Sequence, residues 1–180
     1  MSQTLLANFS AIVAAVGGTG IDSVGFDMDY EEWGDLATSV ANVTIALSRQ
    51  FGAGCPITFC PFTSQSDWIQ SQQQIYSTLG TQPVVGFNLQ TYAGGGTNKP
   101  PDWTAAVKAA QKTGVPDPDN FIWPIVSCDS TATPTSTPNQ ATQNLKKWGS
   151  KGASLWATAP LPFEGYSLSN YSSAFAQCVG

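Results

Sequence analysis

Two features of the sequence predict an α/β fold built on a parallel sheet. Five short runs rich in β-branched and aromatic residues alternate with segments whose apolar residues recur at helical spacing, the pattern of consecutive βαβ units. The first of those runs carries an acid at every second residue, so one of its faces can be buried and the other cannot. With 180 residues and 42% hydrophobic content, the chain is expected to form one domain over residues 1–180 with its own core.

Leu5, Leu6, Phe9, Ile12, Val13 and Val16 recur every three or four positions and predict an amphipathic helix closed by Gly17, Gly18 and Gly20. No basic residue precedes that stretch, so it reads as a helix and not as the apolar part of a secretory signal. The acidic strand follows, from about Ser23 to Tyr30. Leu36, Val40, Val43 and Leu47 form the stripe of the next helix, which stops near Gly52. A strand from Ile57 to Pro61, a helix from Ser66 to Leu79 and a strand from Pro83 to Tyr92 come next, the last running into a glycine-rich loop over 93–101. Then come a helix from Trp103 to Lys112, a strand from Phe121 to Val126 and a Ser/Thr/Pro loop from Cys128 to Pro138. A helix through Leu145 and Trp148, a strand from Ala153 to Ala157 and a helix from Leu168 to Gln177 complete the chain.

Pattern alone is compatible with a doubly wound, flavodoxin-like sheet. Such a sheet usually carries a glycine-rich turn after its first strand, whereas here Glu31-Glu32-Trp33-Gly34 follows, and neither a dinucleotide fingerprint nor a phosphate-binding loop occurs. No cofactor is implied. No run of about 18 apolar residues exists, so no membrane span is expected.

The net charge of -5 and the seven Lys and Arg residues, adjacent only at Lys146-Lys147, argue against a nucleic-acid partner. The absence of histidine excludes Ser-His-Asp and Cys-His nucleophilic machinery and any imidazole zinc site. Cys55, Cys60, Cys128 and Cys178 are even in number and lack the close pairs of a zinc ribbon, so they are expected to form two disulfides. Together with the glycosylation sequons at Asn8, Asn42 and Asn170, they point to an extracellular protein.

The acids are concentrated. Six of the twelve fall between Asp22 and Asp35, and within the strand Asp27, Asp29 and Glu31 share one face while Phe26, Met28 and Tyr30 share the other. Carboxylates this close repel unless protons, a cation or hydrogen bonds are shared among them, and that cost points to chemistry. One rival is a magnesium site of the Asp-x-Asp type, although the Gly-Thr or Gly-Val expected after that motif is absent. Glu32 and Asp35 fit a helix N-terminus. Trp33, Trp68, Trp103, Trp123 and Trp148 are assigned to structure.

The segment Val24-Gly-Phe-Asp-Met-Asp-Tyr-Glu31 resembles the fourth-strand signature of glycoside hydrolase family 18, the chitinases and endo-β-N-acetylglucosaminidases, in which three aspartates precede a catalytic glutamate. Asp27, Asp29 and Glu31 match the last three acids, and Val24 stands where the first would be. The similarity continues in order: Phe87-Asn-Leu-Gln-Thr-Tyr92 looks like the family's sixth strand and Leu155-Trp156 like its eighth. The resemblance implies a partial TIM-like (β/α) barrel of about five parallel strands with flanking helices, corresponding to strands four to eight of a (β/α)₈ barrel. It also implies substrate-assisted, retaining cleavage of β-1,4-linked N-acetylglucosamine. In that scheme Glu31 is the general acid, Asp29 orients the 2-acetamido group, Asp27 shares a proton with Asp29, Tyr92 hydrogen-bonds the acetamido carbonyl, Gln90 faces the sugar and Trp156 forms its apolar floor. Two other outcomes stay open: a carbohydrate-binding or immunologically active remnant without turnover, and a portion of a longer enzyme. A sheet with open edges is also expected to have them covered by terminal helices or by a second copy.

Overall fold

A computed structural model of the chain describes residues 3–17, 24–32, 34–52, 55–129, 131, 134–156 and 165–178. Within them the elements alternate as the sequence predicts: α1 (Gln3–Gly17), β1 (Phe26–Met28), α2 (Leu36–Phe51), β2 (Ile57–Phe59), α3 (Gln65–Leu79), β3 (Val84–Gln90), α4 (Pro100–Ala109), β4 (Ile122–Ser127), α5 (Pro138–Trp148), β5 (Ser154–Trp156) and α6 (Leu168–Ala176). The expectations placed on Gly18, Gly20, Asp22, Ser23, Trp33 and Ala157 lie outside the described residues.

The strands lie in the order β1-β2-β3-β4-β5, every neighbouring pair is parallel, and the sheet curls into half of a barrel flanked by the helices. This order decides against the doubly wound alternative, which needs a reversal of strand order with helices on both faces. Consecutive right-handed crossovers that never reverse keep the helices on one side of the sheet. The sheet does not close, and β1 and β5 each have one strand neighbour.

The core lies between the convex face of the sheet and the helices. Ile57 and Phe59 of β2, Phe87 and Leu89 of β3 and Ile122 of β4 pack with Val40 and Leu47 of α2, Trp68 and Ile75 of α3 and Trp103 and Val107 of α4. Phe87 is the hub: its ring centroid lies 5.5 Å from Phe59, 5.1 Å from Phe121 and 6.0 Å from Trp103. Trp68 and Trp103 are core residues, as expected. Asp35 caps α2, its Oδ1 accepting from the Thr38 amide at 3.0 Å, and that bond holds its carboxyl below the usual range. α1 meets the sheet only at its edge, where Phe9 packs on Phe26 with centroids 5.2 Å apart. Of its predicted stripe, Leu6, Phe9, Val13 and Val16 are half-buried and Ile12 is 54% exposed.

The cysteine expectation is corrected. All four side chains are thiols, and no disulfide forms among them. Cys55 and Cys60 flank opposite ends of β2, while Cys60 and Cys128 follow strands separated by β3 and hence about 9–10 Å apart, beyond the roughly 7 Å that a disulfide spans. The Cys55 thiol donates instead to Val24 O at 3.0 Å, and Cys178 to Ala174 O at 3.4 Å in the last helix.

The concave face is floored near its lower end by Trp123 of β4. A Cβ added to Gly86 of β3 would lie 2.5 Å from the Trp123 ring, and one added to Gly152, just before β5, 2.6 Å from it. Strand glycine is usually a weakness, but here it makes room for an indole. Gly86→Ala is accordingly expected to lose about 1–3 kcal/mol in urea unfolding, because overpacking outweighs the gain in strand propensity. A variant as stable as the wild type would mean that the indole has another place to go.

Candidate active site on the concave face

The alternation read in β1 is realised. Phe26, Met28 and Tyr30 are half-buried and packed against the core, while Asp27, Asp29 and Glu31 are exposed on the concave face. Register then sets the partners, since Asp27 stands beside Thr58 in β2 and Met28 beside Phe59. Two rungs of inward side chains result, Asp27 with Thr58 and Asn88, and Asp29 with Cys60 and Gln90; Glu31 and Tyr92 lie one step further toward the C-terminal ends.

On the first rung, Thr58 Oγ1 donates to Asp27 Oδ1 at 2.6 Å. Asn88 Nδ2 donates to the same oxygen at 3.2 Å and lies 3.3 Å from the Thr58 hydroxyl. On the second, Gln90 Nε2 lies 3.1 Å from Glu31 Oε1 and 3.3 Å from Asp29 Oδ1, with Cys60 O and Sγ further off at 3.5 and 3.7 Å. An amide nitrogen has two hydrogens, so the two carboxylates claim both. Gln90 is only 6% exposed and has found the partners that a buried amide needs.

Although Asp29 is exposed as a residue, partial desolvation of its carboxyl among its neighbours, then the charge of Glu31, then that of Asp27 push it above its ordinary range, and the Cys60 thiol partly offsets this. Burial and the charges of Asp29 and Asp27 push the Cys60 thiol up to about 12, so it stays protonated and is no nucleophile. Burial also raises the Tyr92 hydroxyl, with Cys60, Asp29 and Glu31 adding to the effect, and leaves it a neutral donor beside the acids. The Tyr92 ring is buried and stacks on Trp156, with centroids 4.8 Å apart and planes 15° from parallel. Trp156 is 42% exposed and offers an aromatic surface at the end of β5.

A knot behind the site fixes β3. Asn98 Nδ2 donates to Phe62 O and Gln90 O, both at 2.8 Å, and its Oδ1 accepts from the Trp103 indole at 3.2 Å. Gly95 completes it, since a Cβ there would stand 2.3 Å from Gln90 O.

The structure thus brings together Asp27, Asp29, Glu31, Gln90, Tyr92 and Trp156. Cys60 is at the site as a thiol, and Cys55, Cys128 and Cys178 are elsewhere. The sequon asparagines Asn8, Asn42 and Asn170 are exposed on α1, α2 and α6. Reading the sequence missed Thr58, Asn88 and Asn98. Asn88 was signalled by alternating with apolar neighbours along its strand; Thr58, a β-branched residue at home in any strand, and Asn98, in a loop, left no such mark. The site is an open face and not an enclosed cavity, and a cleft of about 590 Å³ lined by Asn42, Gln70, Gln73, Gln74 and Lys112 on the helical layer contains no acid. Among the described residues no three Asp, Glu, Cys or His side chains converge as metal ligands, and no helix is long and apolar enough to cross a membrane.

The raised Asp29 carboxyl has a sign for stability. Because its folded value lies above the ordinary 3.8, the folded chain binds the proton more tightly than the unfolded one, so stability falls as pH rises through that window and stays lower above it. Asp29→Asn, which keeps an acceptor for Gln90, should therefore melt higher than the wild type at about pH 7, with the gap closing as pH falls toward the ordinary carboxylate range. Melting below the wild type at neutral pH would show that the ionised carboxylate stabilises the fold. Comparison of the chain with protein-family models, with curated proteins and with solved structures returned no match.

Proposed function

We propose that this chain is a glycoside hydrolase of the family 18 type, cleaving β-1,4-linked N-acetylglucosamine by substrate-assisted, retaining chemistry. The observation that carries the reading is the single buried amide of Gln90 joining Asp29 and Glu31 beside the Tyr92 hydroxyl on an open face. Glu31, exposed just beyond β1, protonates the glycosidic oxygen as the bond to the leaving sugar breaks. The acetamido carbonyl oxygen of the same N-acetylglucosamine attacks the anomeric carbon, so no second carboxylate nucleophile is needed. Asp29, its carboxyl held up by burial and by its neighbours, orients the acetamido N–H and stabilises the positive charge that develops on the resulting ring. Tyr92 donates to the acetamido oxygen, and Trp156 supplies the apolar surface on which a pyranose stacks. Water then opens the intermediate, with Glu31 taking its proton.

The proposed partner is an N-acetylglucosamine oligo- or polysaccharide in an extracellular setting. The exposed sequons support that setting; the cysteines, as thiols, do not. A non-catalytic carbohydrate-binding role is favoured by one observation, the openness of the face around the half-exposed Trp156, which admits a sugar without enclosing it.

Glu31→Gln separates the two roles, since it keeps an acceptor for Gln90 but is no acid. Hydrolysis of a fluorogenic chitooligosaccharide is expected to fall by at least about 10²-fold, while binding of the unlabelled oligomer, read by calorimetry, persists. Wild-type binding with no hydrolysis above the Gln variant between about pH 4 and 7, where a carboxyl general acid works, would leave the binding role alone.

A further inference from the structure

The chain carries a net charge of -5, yet its cations are as unevenly placed as its acids. Six of the seven Lys and Arg residues fall between Lys99 and Lys151, the segment that holds α4, β4 and α5. Four of the six line one groove on the helical layer. α4 and α5 meet only sparsely, and two clefts open between them. One, of about 480 Å³, is lined by Lys99, Asp102, Asn144, Lys147 and Trp148; the other, of about 510 Å³, by Lys108, Asp119, Trp148 and Lys151. Pro101 and Trp148 border both clefts and join them into one trough.

Against the four lysines stand two acids, Asp102 and Asp119, and all six side chains are exposed. Asp119 is paired with Lys108 at 2.6 Å, but the two side chains are 70% and 49% exposed. An ion pair in that much water is worth little, so it yields to a better-placed anion. Trp68 and Trp103 are buried in the core, whereas Trp148 is half-buried and keeps part of its indole for a ligand. Thr104 and Asn144 add neutral hydrogen-bonding groups beside it. Lys99 and Lys108 stand at the two ends of α4, about 14 Å apart along the helix, a span longer than one sugar ring.

We propose that the groove between α4 and α5 binds an acidic oligosaccharide, its pyranose rings against Trp148 and its carboxylates or sulfates toward Lys99, Lys108, Lys147 and Lys151. An indole with hydroxyl and amide neighbours suits a sugar ring. Lysines, as compact hydrated charges on flexible stems, suit anions spaced along a chain. The net charge of -5 disfavours a nucleic acid, and a neutral chitin-type oligomer offers the lysines no charge to meet. The concave face, with Asp27, Asp29 and Glu31, repels the same acidic ligand, so the groove is a separate site and the proposal does not rest on the hydrolase reading.

Calorimetry on the intact chain at low salt tests it with an oligogalacturonate for carboxylates, a heparin hexasaccharide for sulfates and chitohexaose as the neutral control. At least one acidic probe is expected to bind, less tightly as salt is raised, and excess chitohexaose should not displace it. The tighter of the two identifies the anion. Lys147→Gln combined with Lys151→Gln should weaken binding about tenfold, and Asp119→Asn, which releases Lys108, should tighten it about two- to threefold. Trp148→Leu should weaken the oligosaccharide about fivefold and leave inorganic polyphosphate unaffected. Should Trp148→Leu not fold, the indole N–H signal of Trp148 in ¹⁵N-tryptophan-labelled wild type makes the comparison, shifting with the acidic oligosaccharide and not with polyphosphate.

Binding of neither acidic probe, binding indifferent to the lysine substitutions, or displacement by chitohexaose overturns the proposal. So does polyphosphate bound as tightly as the oligosaccharide, which would reduce the groove to a patch of charge. A chain that hydrolyses the fluorogenic chitooligosaccharide but binds neither acidic probe keeps the hydrolase reading and loses this one, and the opposite result does the reverse.

Discussion

Three acids on alternate residues along and just beyond β1 must be kept near one another with no cation beside them among the described residues, and the arrangement of the concave face follows from that. At about 4 Å, two unit charges repel by roughly 1 kcal/mol in bulk water and about 4 kcal/mol near a protein surface. A hydrogen bond to a charged group returns about 1.5–3 kcal/mol, so a few well-placed donors suffice to offset the repulsion. Thr58 and Asn88 supply them to Asp27, and Gln90 divides one nitrogen between Asp29 and Glu31. The residual imbalance is visible in Asp29, the carboxyl that burial and its two acidic neighbours push toward the protonated form.

Donors placed to a few tenths of an ångström require a rigid strand beneath them, and β3 has that rigidity because of its other face. Phe87 and Leu89 are fully buried between the sheet and the helices, so the intervening Asn88 and the following Gln90 have no freedom to turn away from the concave side. A slip of one residue would place both amides in the aromatic core and Phe87 in water. Asn98 fixes the end of the same strand through Gln90 O, and the absence of a Cβ at Gly95 lets it approach. The hydrophobic core and the polar site are therefore two consequences of one period-two pattern.

That pattern is also why much of the fold was legible. Long amphipathic stripes such as Leu36 to Leu47 and strands such as Pro83 to Tyr92 carry their periodicity in the chain, and each formed within a few residues of its predicted bounds. β1 came out shorter than predicted, because its pairing ends with the three residues of β2. The six candidate side chains of the site came together because strand order is sequential and parallel, which puts the C-terminal ends of β1, β3 and β5 at one rim. Cysteine pairing was not legible, since it depends on distances between chain segments far apart in sequence; the even count suggested two bonds, and all four cysteines are thiols. Thr58 was overlooked for a different reason. A β-branched residue in a strand needs no explanation from sequence, and only register shows that its hydroxyl meets Asp27.

The half-barrel leaves its concave face open to water, and this bears on how the proposed chemistry works. Solvent reaches Asp27, Asp29 and Glu31, which are exposed on that face. A sugar laid against Trp156 and over Tyr92 removes that water from one side, and desolvation raises the affinity of a carboxyl for its proton. On the proposed reading the substrate would then serve as the wall that the open sheet lacks.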